Sequence, residues 1–102
     1  MRLLEIVTNE YITIVEYLLQ NYDIENNRLI LERETFKILL EKYGYMTFKE
    51  KCKIYKQLNF ITHDKNNYTM PCRIDGKTER KVVLNFDTYL IIKELYNTIV
   101  EN

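Results

Sequence analysis
The chain has 102 residues, 46% of them hydrophobic and 29% charged, so it has the size of a single domain and the composition of a folded one; intrinsic disorder and a second core are excluded. Fifteen Lys or Arg balance fifteen Asp or Glu, and any attraction for a charged partner must therefore come from local rather than total charge. No run of about 18 apolar residues occurs, and the residues after Met1 lack the apolar stretch and small-residue cleavage site of a signal peptide, so a cytoplasmic chain with no membrane segment is expected.

Residues 8–22 carry Tyr11, Ile14, Val15, Leu18, Leu19 and Tyr22 at steps of three and four, the spacing of an amphipathic helix. Thr8 is its expected cap, with Asn9 and Glu10 in a first turn that favours acids. Leu3, Leu4, Ile6 and Val7 precede that cap as surplus apolar surface, either an extension of the helix or a separate arm. Polar residues 23–27 break the pattern, and the β-prone run Arg28–Leu31 has the length of one edge strand. Phe36, Leu39, Leu40 and Tyr43 place a second helix over residues 34–43, which Gly44 is expected to end by taking a positive φ.

Only Tyr45 and Met46 then separate Gly44 from Thr47, which with Glu50 three residues later forms a capping box and starts a third helix over residues 48–58. Projected at about 100° per residue, Lys49, Lys53 and Lys56 fall on one line with Gln57 beside it, opposite Phe48, Cys52, Tyr55 and Leu58. One face buries and the other offers cations. After Leu58 the period changes to two. Phe60 and Thr62, then Tyr68, Met70 and Cys72, read as two strands joined by the turn 64–67, with Pro71 marking an exposed edge. Asp75-Gly76 signals another turn before a strand at Val82, Val83 and Leu84, and residues 73–81 read as a long, basic, flexible hairpin tip. Asn85 or Asp87 can cap a last helix over about 87–101, whose apolar arc of Tyr89, Ile92, Leu95, Tyr96, Ile99 and Val100 is wider than one small core requires.

Charge is distributed unevenly along this order. Residues 48–82 hold nine Lys or Arg against four acids, a net of +5, while residues 1–47 have a net of −3 and residues 83–102 of −2. A basic middle between acidic ends is the footprint of a polyanion partner.

Helix, short strand, helix, tight turn, helix and basic hairpin together resemble the winged helix-turn-helix family over roughly residues 8–84. The likeness is clearest from Thr47-Phe48-Lys49-Glu50 through Leu58-Asn59-Phe60-Ile61 to Tyr68, which is similar to the family's recognition helix leading into its first wing strand. The resemblance implies one α+β domain over residues 1–102: a three-helix core, a β-hairpin wing at 73–81 and an additional C-terminal helix used to dimerise. Residues 34–43 would be the positioning helix and 48–58 the recognition helix. Size and layout are also similar to small accessory proteins that bind the origin of transfer of conjugative plasmids. The implied partners are double-stranded DNA, a second copy of the chain and other proteins of a nucleoprotein complex. A transcriptional regulator of a mobile element and a winged helix that docks protein rather than DNA are the alternatives.

The residues expected at DNA are Thr47, Lys49, Lys53, Lys56, Gln57, Arg73, Lys77, Thr78, Arg80 and Lys81; those expected at the dimer interface are Tyr89, Ile92, Leu95, Tyr96 and Ile99. Sequence preference is expected to rest on the tip, because both arginines of the basic segment, Arg73 and Arg80, lie there, and guanidinium rather than ammonium pairs bidentately with guanine. No cofactor, metal or catalytic residue is expected. Cys52 and Cys72 lack ligand spacing, His63 beside Asp64 reads as a surface turn, and two glycines cannot build a phosphate-cradling loop.

Overall fold
The computed structural model describes residues 2–101, with side chains from residue 3 to residue 98. Four helices and a small antiparallel sheet follow one another as α1 (Arg2–Leu18), β1 (Arg28–Leu31), α2 (Arg33–Glu41), α3 (Phe48–Gln57), β2 (Ile61–Thr62), β3 (Met70–Ile74), β4 (Lys77–Asn85) and α4 (Phe86–Glu101). The class is α+β.

The first helix starts six residues before the expected cap. Val7 continues the three-and-four spacing of Tyr11, Ile14, Val15 and Leu18 and is fully buried with them, so the helix gains by running through Thr8. Thr8 is an interior helical residue, and the regular helix stops at Leu18 rather than Tyr22. Its last carbonyls are taken up in a tightening turn, with Asn21 N–H on Leu18 O at 3.0 Å and Tyr22 N–H on Leu18 O at 2.8 Å.

Left-handed backbone appears where asparagine supplies it. Asn26 (φ 50°) and Asn27 (φ 60°) make a two-residue turn closed by a Glu25–Arg28 bridge, which feeds β1. Gly44, expected to end α2 with a positive φ, does not take one; α2 stops at an αR Lys42. The left-handed cap belongs to α3. Asn59 (φ 61°) follows Leu58, its N–H reaches Lys56 O at 3.2 Å and Phe60 N–H reaches Tyr55 O at 2.9 Å, the two bonds of a Schellman motif.

All three other strands pair with β4. Leu29 to Leu31 lie opposite Leu84 to Val82 on one side, Ile61 and Thr62 oppose Leu84 and Val83 on the other, and Met70–Ile74 run along the outer half from Lys81 to Lys77. The expected hairpin between residues 60–62 and 68–72 is therefore not a pair: each segment is laddered to β4, and a backbone bond from Asp64 N–H to Thr69 O at 3.2 Å ties the two across their loop. Pro71 sits in β3, which pairs with β4 alone, as an edge position allows.

The core fills the space between the sheet's inner half and the helices. Tyr11 stacks on Phe60 (4.0 Å between centroids, 2° between planes), Tyr55 stands edge-on to both, and Phe36 meets Tyr55 from α2. Tyr11 donates its hydroxyl to Asn85 O, so the largest buried side chain of α1 also pins the junction of β4 and α4. Burying such rings contributes about 1.5–3 kcal/mol each before entropy is counted. Among the described residues no helix is long and apolar enough to cross a membrane.

Candidate functional site
Helix α3 is framed at both ends, which fixes the direction of everything it displays. Thr47 takes extended backbone, Glu50 N–H donates to Thr47 Oγ1 at 3.2 Å, and Thr47 N–H donates to Glu50 Oε1 at 3.3 Å, completing the capping box. The Thr47 hydroxyl also donates to Glu50 Oε1 at 2.7 Å, and this bond holds the Glu50 carboxyl below its ordinary range. Thr47, expected at the interface, is thus occupied at the cap. The Schellman turn closes the other end.

The outer face carries Lys49, Lys53 and Gln57 exposed and Lys56 half-buried. These lysines border a groove of about 400 Å³ lined by Phe48, Lys49, Cys52, Lys53, Lys56, Asn66, Asn67 and Tyr68. Its lining is mostly apolar, its helix side carries three lysines, its loop side carries two amides, and no carboxylate of the described residues lines it. Burial pushes the Cys52 thiol up to about 12, so it stays neutral. Phe48 stands edge-on to Tyr68 (5.4 Å, 89°), which stacks on core residue Phe36 (6.1 Å, 23°), so these lining rings are anchored to the core.

Lys51, counted from sequence among the basic middle, turns the other way. It is fully buried, with Nζ donating to Glu10 Oε2 at 2.7 Å and to the carbonyls of Leu40 and Tyr43, and with the Tyr45 ring 4.1 Å away. Three acceptors match the three donors of an ammonium. Glu10 Oε1 accepts from the hydroxyls of Tyr45 (2.9 Å) and Tyr55 (2.8 Å). Burial first, then the neighbouring Glu10, hold both phenols above their ordinary range, so they remain donors. Lys51 is a structural cation tying α1, α2 and α3 together and offers no charge to a partner.

Residues 73–81 are not a flexible loop. Ile74 opposes Lys77, and Asp75 (φ 51°) and Gly76 (φ 79°) form a two-residue turn with both central residues left-handed, so the tip is a regular antiparallel ribbon. Its cations divide into two kinds. Arg80 donates through Nη2 to Asp64 Oδ2 and to Thr69 O (3.0 Å) and through Nε to Thr69 Oγ1 (2.9 Å), clamping the 62–70 loop to β4. Lys81 is buried and paired with Glu32, with Glu79 at 3.6 Å. Arg73, Lys77 and Thr78 are exposed, and Arg73 and Lys77 make no ion pair among the described residues.

Two cations that sequence reading passed over lie between these regions. Arg33, Glu34, Lys37 and Tyr68 line a small hollow that shares Tyr68 with the α3 groove, and Arg33 and Glu34 also line the hollow formed with Glu32, Glu79, Arg80 and Lys81 at the ribbon's base. Lys37 Nζ lies 5.9 Å from the Phe48 ring centre. The signal was present, since Arg33 and Lys37 are one turn apart, but they sit in a segment whose net charge is negative.

On α4 the expected interface residues separate. Tyr89 is buried, stacks on Phe86 (5.3 Å, 28°) and donates to Glu16 Oε2 at 2.8 Å, and Ile92 packs on the same core, because both face α1. Leu95 and Tyr96 are exposed, joined by Leu90 and Ile91, while the side chain of Ile99 lies outside the described residues. Leu3, Leu4 and Ile6 are also exposed on α1. Comparison with protein-family models and with curated proteins finds no match to this chain.

Proposed function
We propose that the chain is a winged helix-turn-helix protein that binds double-stranded DNA as a homodimer, with α3 as recognition helix and the β3–β4 ribbon as wing. The observation that supports this most is the asymmetry of α3: every cation on its outer face is unpaired among the described residues and borders a groove without a carboxylate, while its inner cation is consumed by Glu10. Of the nine cations in the basic middle, Lys51, Arg80 and Lys81 are spent on internal pairs, which leaves Lys49, Lys53, Lys56, Lys65, Arg73 and Lys77 for phosphate. Counterion release from those contacts supplies affinity, and groove contacts by Arg73 at the wing supply preference. The exposed Leu90, Ile91, Leu95 and Tyr96 of α4 are the surface a second copy covers. A plasmid origin of transfer is the setting to which the size and layout point; control of transcription in a mobile element uses the same contacts.

Titrating labelled duplex at several salt concentrations tests the reading. With about five phosphates contacted per protomer, log K falls against log salt with a slope near −4 to −5 per protomer. An affinity that stays flat from low to moderate salt removes DNA as the partner. Selection of bound sites from a random duplex pool then reads the preference and, through repetition of the motif, the dimer.

A further inference from the structure
Contact with a duplex backbone needs only ammonium groups that reach phosphate, yet α3 presents more than that. Its lysines line a concavity together with Phe48 and Cys52 of the same helix, and the β2–β3 loop contributes Asn66, Asn67 and Tyr68 to the lining. At about 400 Å³ the space is within the range of clefts that hold small organic ligands. Each part addresses a different chemical group. The cations suit phosphate, an aromatic side chain suits the face of an aromatic ring, and an amide, carrying donors and an acceptor together, suits the hydrogen-bonding edge of a base. The absence of any carboxylate in the lining makes the groove complementary to an anion with a flat apolar body. Lys49 and Lys53 are separated by about 6 Å along the helix axis, enough to address the phosphates on either side of one nucleotide.

In regular duplex both faces of every base are covered by its neighbours, so no base can stack in this groove. We propose that the groove between α3 and the β2–β3 loop seats one unstacked nucleotide of the bound DNA, with the base stacked on Tyr68 and bordered by the perpendicular ring of Phe48, its edge at Asn66 and Asn67, and its phosphates at Lys49 and Lys53. The proposal rests on the DNA-binding reading and adds to it a preference for duplex that carries an unpaired nucleotide. The groove is pre-organised for this, because Phe36 supports Tyr68 from the core and the loop bearing Asn66 and Asn67 is clamped by Arg80 through Asp64 and Thr69. Little ordering is left to be done on binding.

The test uses the full chain and two duplexes of the same sequence, one perfectly paired and one with a single 2-aminopurine bulge. The bulged duplex is expected to bind about 5- to 100-fold tighter, the range for one base stacked on aromatic side chains, with quenching of the 2-aminopurine fluorescence. Tyr68→Ala removes the ring and abolishes the preference. Because that residue touches the core, Asn66→Ala/Asn67→Ala, at two exposed loop positions, serves as the second variant; it reduces the preference at least threefold by roughly one lost edge contact while paired duplex binds as before. Equal affinity for the two duplexes overturns the nucleotide seat and leaves the DNA-binding reading intact. A preference that survives both variants also overturns it, by placing the unpaired base elsewhere. Binding to neither duplex at low salt overturns the DNA-binding reading and the seat with it.

Discussion

Lys51 and Lys53 stand two residues apart on α3 with the same ammonium group, and their environments have nothing in common. Lys51 is sealed among Glu10, Tyr45 and two carbonyls, whereas Lys53 is exposed at the rim of a groove without acids. The contrast shows that a count of charges along a sequence overstates what a partner can feel. A cation is available only if no nearby element has already supplied its acceptors. The same division recurs on the ribbon, where Arg80 and Lys81 are held by Asp64, Thr69 and Glu32 while Arg73 and Lys77 are exposed and make no ion pair among the described residues.

The sharpest way to break the comparison is to treat the two lysines alike. Lys51→Met leaves Glu10 as a buried, unmatched charge and is expected to cost about 3–5 kcal/mol in urea denaturation. Adding Glu10→Gln to it should recover most of that loss, because the unpaired charge is then gone. Lys53→Ala should move stability by no more than about 0.5 kcal/mol while lowering the salt slope of DNA binding by about 1. Equal stability of Lys51→Met and wild type would show that the internal pair holds nothing together.

The ribbon arginines extend the same division to a smaller effect. Arg73→Ala is expected to cost roughly 1–3 kcal/mol on the preferred DNA site, much less on random duplex, and nothing in stability. Arg80→Ala should lose about 1 kcal/mol of stability, a modest figure because its ion pair is over a third exposed. Reversal of the two phenotypes would make Arg80 the reader and the clamp incidental.

Leu95→Glu combined with Ile91→Glu separates the exposed face of α4 from the buried one. Monomeric sedimentation with a retained cooperative urea transition is the expected outcome, since both side chains are exposed within one chain. The midpoint should fall only by the stabilisation that association had supplied and no longer depend on protein concentration. If sedimentation does not change, the dimer does not use this helix.

Glu50→Gln should have the smallest effect. The Thr47 hydrogen bond holds the folded carboxyl below its unfolded value, so its contribution is fully present above the ordinary carboxylate value of about 4.3 and is lost as pH falls toward the lowered one. Glutamine keeps the hydrogen-bonding shape of the box without its charge, so wild type should melt slightly higher at pH 7 and the two melting temperatures should converge as pH falls below about 4. Parallel curves would mean that the box carries no charge-dependent stability.

Much of the frame was legible because it is local. The Thr47–Glu50 box, the limits of β1 and the Asp75-Gly76 turn are each written within four or five residues. What was missed depends on residues far apart in the chain. The pairs of Lys51 with Glu10, Lys81 with Glu32 and Arg80 with Asp64 join different elements, and nothing in one sequence says which acid meets which base. A partial signal existed for the first: Lys51 is four residues from Tyr55 and three from Phe48, and Glu10 is three from Val7 and four from Ile14, so both charges lie on apolar stripes. Two opposite charges misplaced on two buried faces are a pair waiting to be matched. The tip was expected to be flexible because its residues are polar, although a polar strand can still pair in register with its neighbour, as residues 77–81 do with β3.

The nine-residue strand β4 has two careers in one continuous backbone, an inner half buried among β1, β2 and the helices and an outer half paired only with β3. That division gives a lineage carrying this chain an unequal freedom to change. Residues added in matched pairs beside Asp75-Gly76 lengthen the arm by about 3.4 Å per pair and leave every inner side chain facing as before. A single residue gained or lost between Lys81 and Val82 instead turns Arg80, Lys77 and their neighbours to the opposite face at once. Divergence should therefore accumulate at the tip, in length and in residue identity, while the junction tolerates substitution and rejects insertion. In such a lineage, the reach of the arm and the groups it presents can drift with the partner it serves, on a core that need not change with them.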